Sequence, residues 1–139
     1  MKTVNRHLYS DFNLSIILDE EGDPLSSKIF EDKKRCHPPF KEDEFKVNFK
    51  KLNFTPFYVK IYSRLLTVKS GSVVTYKKIA DISGHPKAFR AVGSAMAKNP
   101  LVYLIPCHRV LKSDGGLGNY SALGGSITKK KLLNFESRN

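Results

Sequence analysis

The segment Pro106-Cys107-His108-Arg109-Val110 contains the residues of this chain that are best suited to carry out chemistry. A cysteine becomes a nucleophile when a nearby base or positive charge stabilises its thiolate and when it is at least partly accessible. His108 and Arg109 follow Cys107 directly. Neighbouring side chains on a regular strand point to opposite faces, so Cys107 and His108 can cooperate only if the chain turns there or a water links them. The residue types therefore predict a reactive thiol, with a small, buried and inert cysteine as the alternative.

The elements that must position Cys107 are an apolar run just before it and two short helices further upstream. Residues 101–105 are apolar and bounded by prolines, which is typical of a buried strand. Thr75 can cap a helix over residues 76–82, and a second helix is predicted to begin near Pro86 and to end at residue 97. The second helix is rich in small residues that would let its backbone approach DNA closely: Ala88, Ala91, Gly93, Ser94 and Ala95. The pair is a candidate helix-turn-helix, with close helix packing and no DNA binding as the alternative.

The rest of the pattern predicts an α/β fold. Residues 12–18 and 26–30 are predicted to form a hairpin, residues 33–39 a loop, and residues 45–49 a further strand. A helix is predicted from Thr55-Pro56 through residue 68, a polar loop over 113–121 and a basic C-terminal helix over 128–136. We expect a short N-terminal β segment over residues 1–52 and a mostly helical, DNA-binding domain over residues 53–139.

The composition favours a polyanionic partner. The 24 Lys and Arg against 13 Asp and Glu give a net charge of +11, and the acidic residues lie mainly before residue 45. Solvated surface lysines alone would give the same excess. Cys36 and Cys107 show no spacing typical of a disulfide or a metal pair, and free thiols indicate a reducing compartment. With no apolar stretch near 20 residues and no signal-peptide pattern, we expect a soluble, cytoplasmic protein that works with DNA and not with a membrane.

Several ordered motifs from Thr55 to Glu136, more than half the chain, resemble the alkyltransferase domain of the methylated-DNA–protein-cysteine methyltransferases, also called O6-alkylguanine-DNA alkyltransferases. Besides Ile105–Val110, the matching segments are Thr55-Pro56-Phe57, Val74-Thr75-Tyr76, Pro86-Lys87-Ala88, Arg90-Ala91-Val92-Gly93, Asn99-Pro100 and Gly118-Asn119-Tyr120-Ser121. The resemblance implies a winged-helix-like C-terminal domain.

The resemblance also implies roles for residues near the thiol. Cys107 falls on the alkyl acceptor, and His108 on the histidine that takes the thiol proton through a bridging water. Glu136 resembles the glutamate that orients that histidine, and Asn99 resembles the residue that braces the turn beside the site. Such a relay follows the logic of other nucleophiles with an oriented base.

On the DNA side, the resemblance implies that Tyr76 helps to rotate the target nucleotide and that Arg90 fills the place it leaves in the stack. Val110, Tyr120 and Ser121 match the pocket for guanine. The remaining residues expected to contact DNA or substrate are Ala91, Gly93, Ser94, Met96 and Asn119.

The chain also departs from the family pattern. Phe89 stands where many relatives have a small residue, so it is expected to contact either DNA or the core. Val102 replaces a proline, and residues 122–125 form a passage longer by about two residues, which the alignment of Glu136 must cross. His7, Cys36 and His37 are too few and too loosely placed for a zinc site, so we expect no metal and no cofactor.

The function implied is direct repair: the helix-turn-helix enters the minor groove of double-stranded DNA, O6-alkylguanine is flipped out, and its alkyl group moves irreversibly to Cys107. Each molecule, expected to be a monomer, would act once. The rival interpretations are a damage sensor that flips the base without transfer, against which Cys107 argues, and a transcription regulator that uses the same two helices.

Overall fold

The computed structural model describes residues 1–138, which form a mixed α/β fold. The N-terminal part is an antiparallel sheet of three strands in the order β1 (Lys2–Tyr9), β2 (Phe12–Leu18) and β3 (Pro24–Glu31). The predicted hairpin is confirmed as β2 and β3. Strand β1 was not predicted, because it is an edge strand with half-exposed side chains and no clear alternation.

The helices of the C-terminal part confirm the predicted ones, with shifted ends. Helix α1 spans Pro56–Leu65, α2 spans Tyr76–Ile82, α3 spans Phe89–Ala97 and α4 spans Gly125–Ser137. Thr55 and Thr75 cap α1 and α2, since each side-chain oxygen accepts a hydrogen bond from the backbone N–H three residues later. Two short parallel strands, β4 (Val74–Thr75) and β5 (Val110–Leu111), join the start of α2 to the chain beyond Cys107.

Two predicted strands are wrong. Residues 101–105 form a tight turn in which the Ile105 N–H donates to the Leu101 carbonyl at 2.8 Å, and Tyr103 has a φ of 72°. Their apolar character reflects burial inside the core, which a turn satisfies as well as a strand does. Residues 45–48 form no strand, and Phe49–Lys51 is a single 3-10 turn. The apolar side chains of residues 45–49 pack against the core, although this part of the chain is not a strand.

One hydrophobic core joins the sheet, the helices and the turn at 101–105. Leu14 and Ile16 of the sheet pack in it with Ile61, Ile79 and Leu132 of the helices. Ser27 on β3 ties the sheet to the turn, donating from N–H to the Pro100 carbonyl and from Oγ to the Val102 carbonyl.

The division of the chain into two parts near residue 52 stays a prediction. Among residues 1–138, no helix has the length and apolarity that a membrane crossing needs.

Candidate active site

The chain turns at Cys107. Residues Cys107–Arg109 form a 3-10 turn in which the Arg109 N–H donates to the Pro106 carbonyl at 3.0 Å. A 3-10 turn rotates successive side chains by about 120°, instead of alternating them between two faces. The sequence left open whether the chain turns here, as cooperation between Cys107 and His108 requires, and the structure shows this turn.

Cys107 lines a cleft of about 850 Å³ and is 3% exposed. The Asn99 amide donates to its Sγ at 3.3 Å. Asn99 also braces the turn before the cysteine, donating to the Ile105 carbonyl and accepting from the Leu101 N–H, both at 2.9 Å. Burial raises the pKa of Cys107, and the Asn99 hydrogen bond offsets part of that rise. The resting thiol is therefore protonated at neutral pH and needs a base to become a nucleophile.

His108, the next residue in the chain, is fully buried and paired with Glu136. Its Nε2 lies 3.1 Å from both carboxylate oxygens. Burial lowers the pKa of His108 and outweighs the opposing effect of Glu136, so the ring is neutral near pH 7. Its one proton belongs on Nε2, where the carboxylate accepts it, an assignment made from the hydrogen-bond geometry. Among the described residues no hydrogen-bond partner of His108 Nδ1 is found, which leaves that lone pair able to accept a proton.

Arg109 faces Glu136 and not the thiol. Its Nε and Nη2 donate to the two carboxylate oxygens at 2.9 and 2.6 Å, a bidentate pair. Its Nη1 donates to the Val68 carbonyl and to Glu42 of the N-terminal segment. Sequence reasoning considered Arg109 as a charge near the sulfur and missed this pairing, because partners 27 and 67 residues away leave no local signal.

The pairing controls the charge on Glu136. Burial alone would raise the pKa of its carboxyl group, but the hydrogen bonds from Arg109 and His108 outweigh burial and hold the pKa at about 2. Glu136 therefore stays ionised through the physiological range, and it holds the imidazole with its proton on Nε2.

Acid unfolding tests this ion pair. The folded-state pKa of Glu136 lies below its ordinary value of 4.5, so its contribution to stability is complete above pH 4.5 and is lost as the pH falls from there toward 2. We expect Glu136→Gln to lower the free energy of unfolding at pH 7 by on the order of 3 kcal/mol, because buried Arg109 loses its counter-charge. The deficit should shrink toward pH 2. Urea unfolding at a series of pH values measures it, with Glu31→Gln on the exposed end of β3 as control. A pH-independent deficit would contradict the assignment.

The cleft brings together most of the residues predicted to contact DNA. Tyr76, Arg90, Gly93, Ser94, Met96, Asn119, Tyr120 and Ser121 all line it with Cys107. Ala91 is exposed on α3 but lies outside the cleft lining, and Val110 is fully buried in β5 beside Val74. Asn99, His108 and Glu136 are buried and lie outside the cleft lining as well.

Lys129 was missed by sequence reasoning. It is buried in α4, and its ammonium group donates to the backbone carbonyls of Leu117 and Asn119 and lies 5.8 Å from the centre of the Tyr76 ring. Burial lowers its pKa to about 8. Its position in a run of three lysines resembles a solvated surface, so the sequence carried no signal of burial.

Gly118 allows the Tyr76 ring to approach the loop. A Cβ at residue 118 would lie 2.9 Å from the Tyr76 hydroxyl oxygen, and the φ of +72° also favours glycine.

Phe89, for which the sequence left contact with DNA or with the core open, lies on the surface and not in the core. It is 54% exposed and lines the cleft beside Arg90. Lys77 and Lys112 add positive charge to the walls of the cleft.

In residues 1–138 no group of three or more His, Cys, Asp or Glu side chains is placed to hold a metal ion.

Comparison with known proteins gives one consistent family. The DNA-binding domain of 6-O-methylguanine DNA methyltransferase matches residues 56–138. The methylated-DNA–protein-cysteine methyltransferase of Rattus norvegicus is 44% identical over 100 residues, which cover 72% of this chain and 42% of that protein. A protein of the same name from Metallosphaera sedula is 48% identical over 86 residues, 62% of this chain and 52% of that protein. The chain thus spans about half the length of these curated relatives.

The fold is also similar to that of a solved structure. The crystal structure of Mycobacterium tuberculosis OGT in complex with DNA superposes with a TM-score of 0.76 at 27% identity, covering 96% of this chain and 92% of that one. The similarity therefore includes the N-terminal sheet as well as the helical part that the family domain covers.

Proposed function

The chain belongs to the 6-O-methylguanine DNA methyltransferase family, and from that premise we propose that it removes the alkyl group of O6-alkylguanine in duplex DNA by transferring it to Cys107. The observation that carries this proposal is a single thiol in a cleft, with a neutral histidine and an ionised glutamate buried next to it. These are the parts that an oriented-base nucleophile needs.

In the proposed reaction, His108 Nδ1 takes the Cys107 proton through a bridging water, while Glu136 stabilises the imidazolium that forms. The sulfur attacks the alkyl carbon and the bond between that carbon and guanine O6 breaks. The electron pair of the broken bond stays on the guanine, which regains its normal form on protonation. Asn99 supports the developing thiolate through its hydrogen bond to Sγ. The thiol, the alkyl group and the base account for every atom and electron, so the step as written needs no cofactor.

The product is a thioether, and the C–S bonds of a thioether resist hydrolysis at neutral pH, because a thiolate is a poor leaving group from an alkyl carbon. The alkyl group would therefore remain on the sulfur. Each molecule would react once, and the amount of repair would be limited by the amount of protein.

The DNA side of the proposal rests on α2 and α3, which form the walls of the cleft and carry Tyr76 and Arg90. Proteins that bind the minor groove often insert a side chain between base steps, and enzymes that act on a base extrude it into a pocket. We propose that Arg90 enters the stack, that Tyr76 assists rotation and that Asn119, Tyr120 and Ser121 receive the guanine. The net charge of +11 supplies affinity for the phosphates. We further propose that a monomer acts on DNA inside the cell.

Intact mass tests the proposal directly. The protein is incubated with a duplex that contains one O6-methylguanine, and its mass should increase by one CH2 group, located on Cys107 by peptide mapping. A stable complex with the damaged duplex and no mass change would favour a damage sensor. Equal or higher affinity for a specific undamaged sequence, again without a mass change, would favour a transcription regulator.

Arg90→Ala tests the intercalating role. We expect the single-turnover rate on a duplex with O6-methylguanine to fall by about 10- to 100-fold, since an extruded base without a replacement costs a few kcal/mol of stacking. The rate with free O6-benzylguanine should stay near wild type, because no gap has to be filled. Arg64→Ala, which removes the same charge from the exposed side of α1, is the matched control. Equal losses on both substrates would contradict the role.

A further inference from the structure

Tyr103 contacts both members of the buried His108–Glu136 pair. Its ring is stacked on the imidazole, with centroids 4.9 Å apart and planes 5° from parallel. Its hydroxyl group donates to Glu136 Oε2 at 3.3 Å. The contact with Glu136 spans 33 residues, so the sequence carried no sign of it. One side chain therefore limits the orientation of the base and of the carboxylate that holds it.

The backbone of Tyr103 indicates that its surroundings hold it in place. Its φ of 72° lies in the left-handed region, which a bulky residue adopts only at a conformational cost. A glycine or an asparagine would form this tight turn more easily. The turn keeps its place through the hydrogen bond between Ile105 and Leu101. The buried aromatic ring at this position thus has to be stabilised by what it contacts, and His108 and Glu136 are among those contacts.

The N-terminal segment also packs against Tyr103. Phe40 packs edge-on against the Tyr103 ring, with centroids 5.2 Å apart and planes at 87°. The Phe40 N–H donates to the His7 carbonyl at 2.8 Å, which attaches this part of the loop to β1. The contacts run from the N-terminal sheet through Phe40 and Tyr103 to the imidazole.

We propose that Tyr103, supported by Phe40, is a positioning residue for alkyl transfer: its ring fixes the plane of the His108 imidazole and its hydroxyl group shares the charge of Glu136. The proposal rests on the proposed function of the site. An imidazole without a stacked neighbour can rotate about its bond to Cβ, and each rotation weakens either the contact with Glu136 or the path to the thiol. Burial, with Glu136 nearby, raises the pKa of Tyr103, so the hydroxyl group remains a donor.

Two substitutions separate the ring from the hydroxyl group. Tyr103→Phe keeps the stack and removes the hydrogen bond, whereas Tyr103→Leu removes both. Tyr62→Phe is the matched control: it removes a buried hydroxyl group that donates to the Ala95 carbonyl and has no bond to His108 or Glu136. If the loss of a buried side-chain group acts only by destabilising the fold, the thermal midpoint should fall in all three variants.

The readout is the pH dependence of single-turnover transfer from a duplex with one O6-methylguanine. The charged groups that act on His108 are Glu136 and Lys129 of α4 and Arg109 of its own turn; the rings of Tyr103 and Tyr120 pack against the imidazole, and Cys107 precedes it in the turn. Glu42 of the N-terminal loop adds a charge through Arg109. The rate falls on the acid side as His108 takes up a proton. With one donor fewer on Glu136, the carboxylate stabilises the imidazolium more strongly. The pKa of His108 should therefore rise in Tyr103→Phe, and the acid limb of the profile, where the rate falls at low pH, should move to higher pH with it.

For Tyr103→Leu we expect, at neutral pH, a rate about 10-fold below wild type, a part of the 100- to 10,000-fold that a positioned base supplies. Ring ¹⁵N shifts of His108 in the protein without DNA give a second readout: the wild type should carry its proton on Nε2, and Tyr103→Leu should show a mixture of tautomers. Tyr103→Phe should keep the wild-type tautomer because its ring remains.

The outcomes separate the two proposals. A wild type that transfers nothing contradicts the proposed function, whereas the ¹⁵N shifts still report on Tyr103. If the wild type transfers and Tyr103→Leu has the same acid limb, rate and tautomer, the positioning role is wrong. A shift of the same size in Tyr62→Phe would also overturn it.

Discussion

Cys107→Ala is expected to abolish alkyl transfer while leaving affinity for duplex DNA close to that of the wild type. The sulfur supplies the bond-forming electron pair, and an alanine methyl group has none. The affinity is expected to come from the basic surface and the cleft walls, which the substitution leaves in place. Removing one sulfur from a site that is 3% exposed leaves only a small cavity, so the fold should persist. Intact mass after incubation with the O6-methylguanine duplex measures transfer, and a gel-shift titration measures binding.

Cys36→Ala is the matched control, because Cys36 is the other free cysteine and lies in the N-terminal loop with its N–H bonded to Asn13. This variant should gain the alkyl group as the wild type does. A mass increase in Cys107→Ala, with the alkyl group mapped to Cys36, would move the site and overturn the assignment.

His108→Gln has the second largest expected effect, a fall of about 100- to 10,000-fold in the single-turnover rate near pH 7. Burial raises the pKa of Cys107, so without a base almost none of the thiol is ionised at neutral pH. Glutamine can still donate a hydrogen bond to Glu136 and fills a similar volume, which limits the loss of stability, but its amide does not accept a proton. Rapid-quench kinetics on the O6-methylguanine duplex measures the rate.

The pH dependence distinguishes a lost base from a damaged fold. As the pH rises toward the pKa of the thiol, hydroxide takes over deprotonation, and the deficit of His108→Gln should narrow. The exposed His37 offers a control, and His37→Gln should react at the wild-type rate at every pH. A deficit that stays constant with pH would show that His108 is not the base.

Much of the fold followed from local patterns. Thr55 and Thr75 cap the helices that were predicted to begin after them, since capping depends on residues only three apart. The apolar run of residues 101–105 was correctly read as buried and wrongly as a strand. Apolar side chains predict burial, but the shape of the backbone depended on the Leu101–Ile105 hydrogen bond and on the place of Tyr103 in the core.

What the sequence by itself determined is the candidate for the reactive group and its near surroundings: Cys107 followed by a histidine, and two short helices with small residues upstream of it. The tertiary structure alone decided which partners set their charges. Arg109 is two residues from Cys107 in the sequence, but its guanidinium group binds Glu136. No local sequence pattern indicated that Lys129 is buried or that Tyr103 stacks on His108. Burial and ion pairing act through space, so the pKa of a group depends on side chains that the fold brings together from distant parts of the chain.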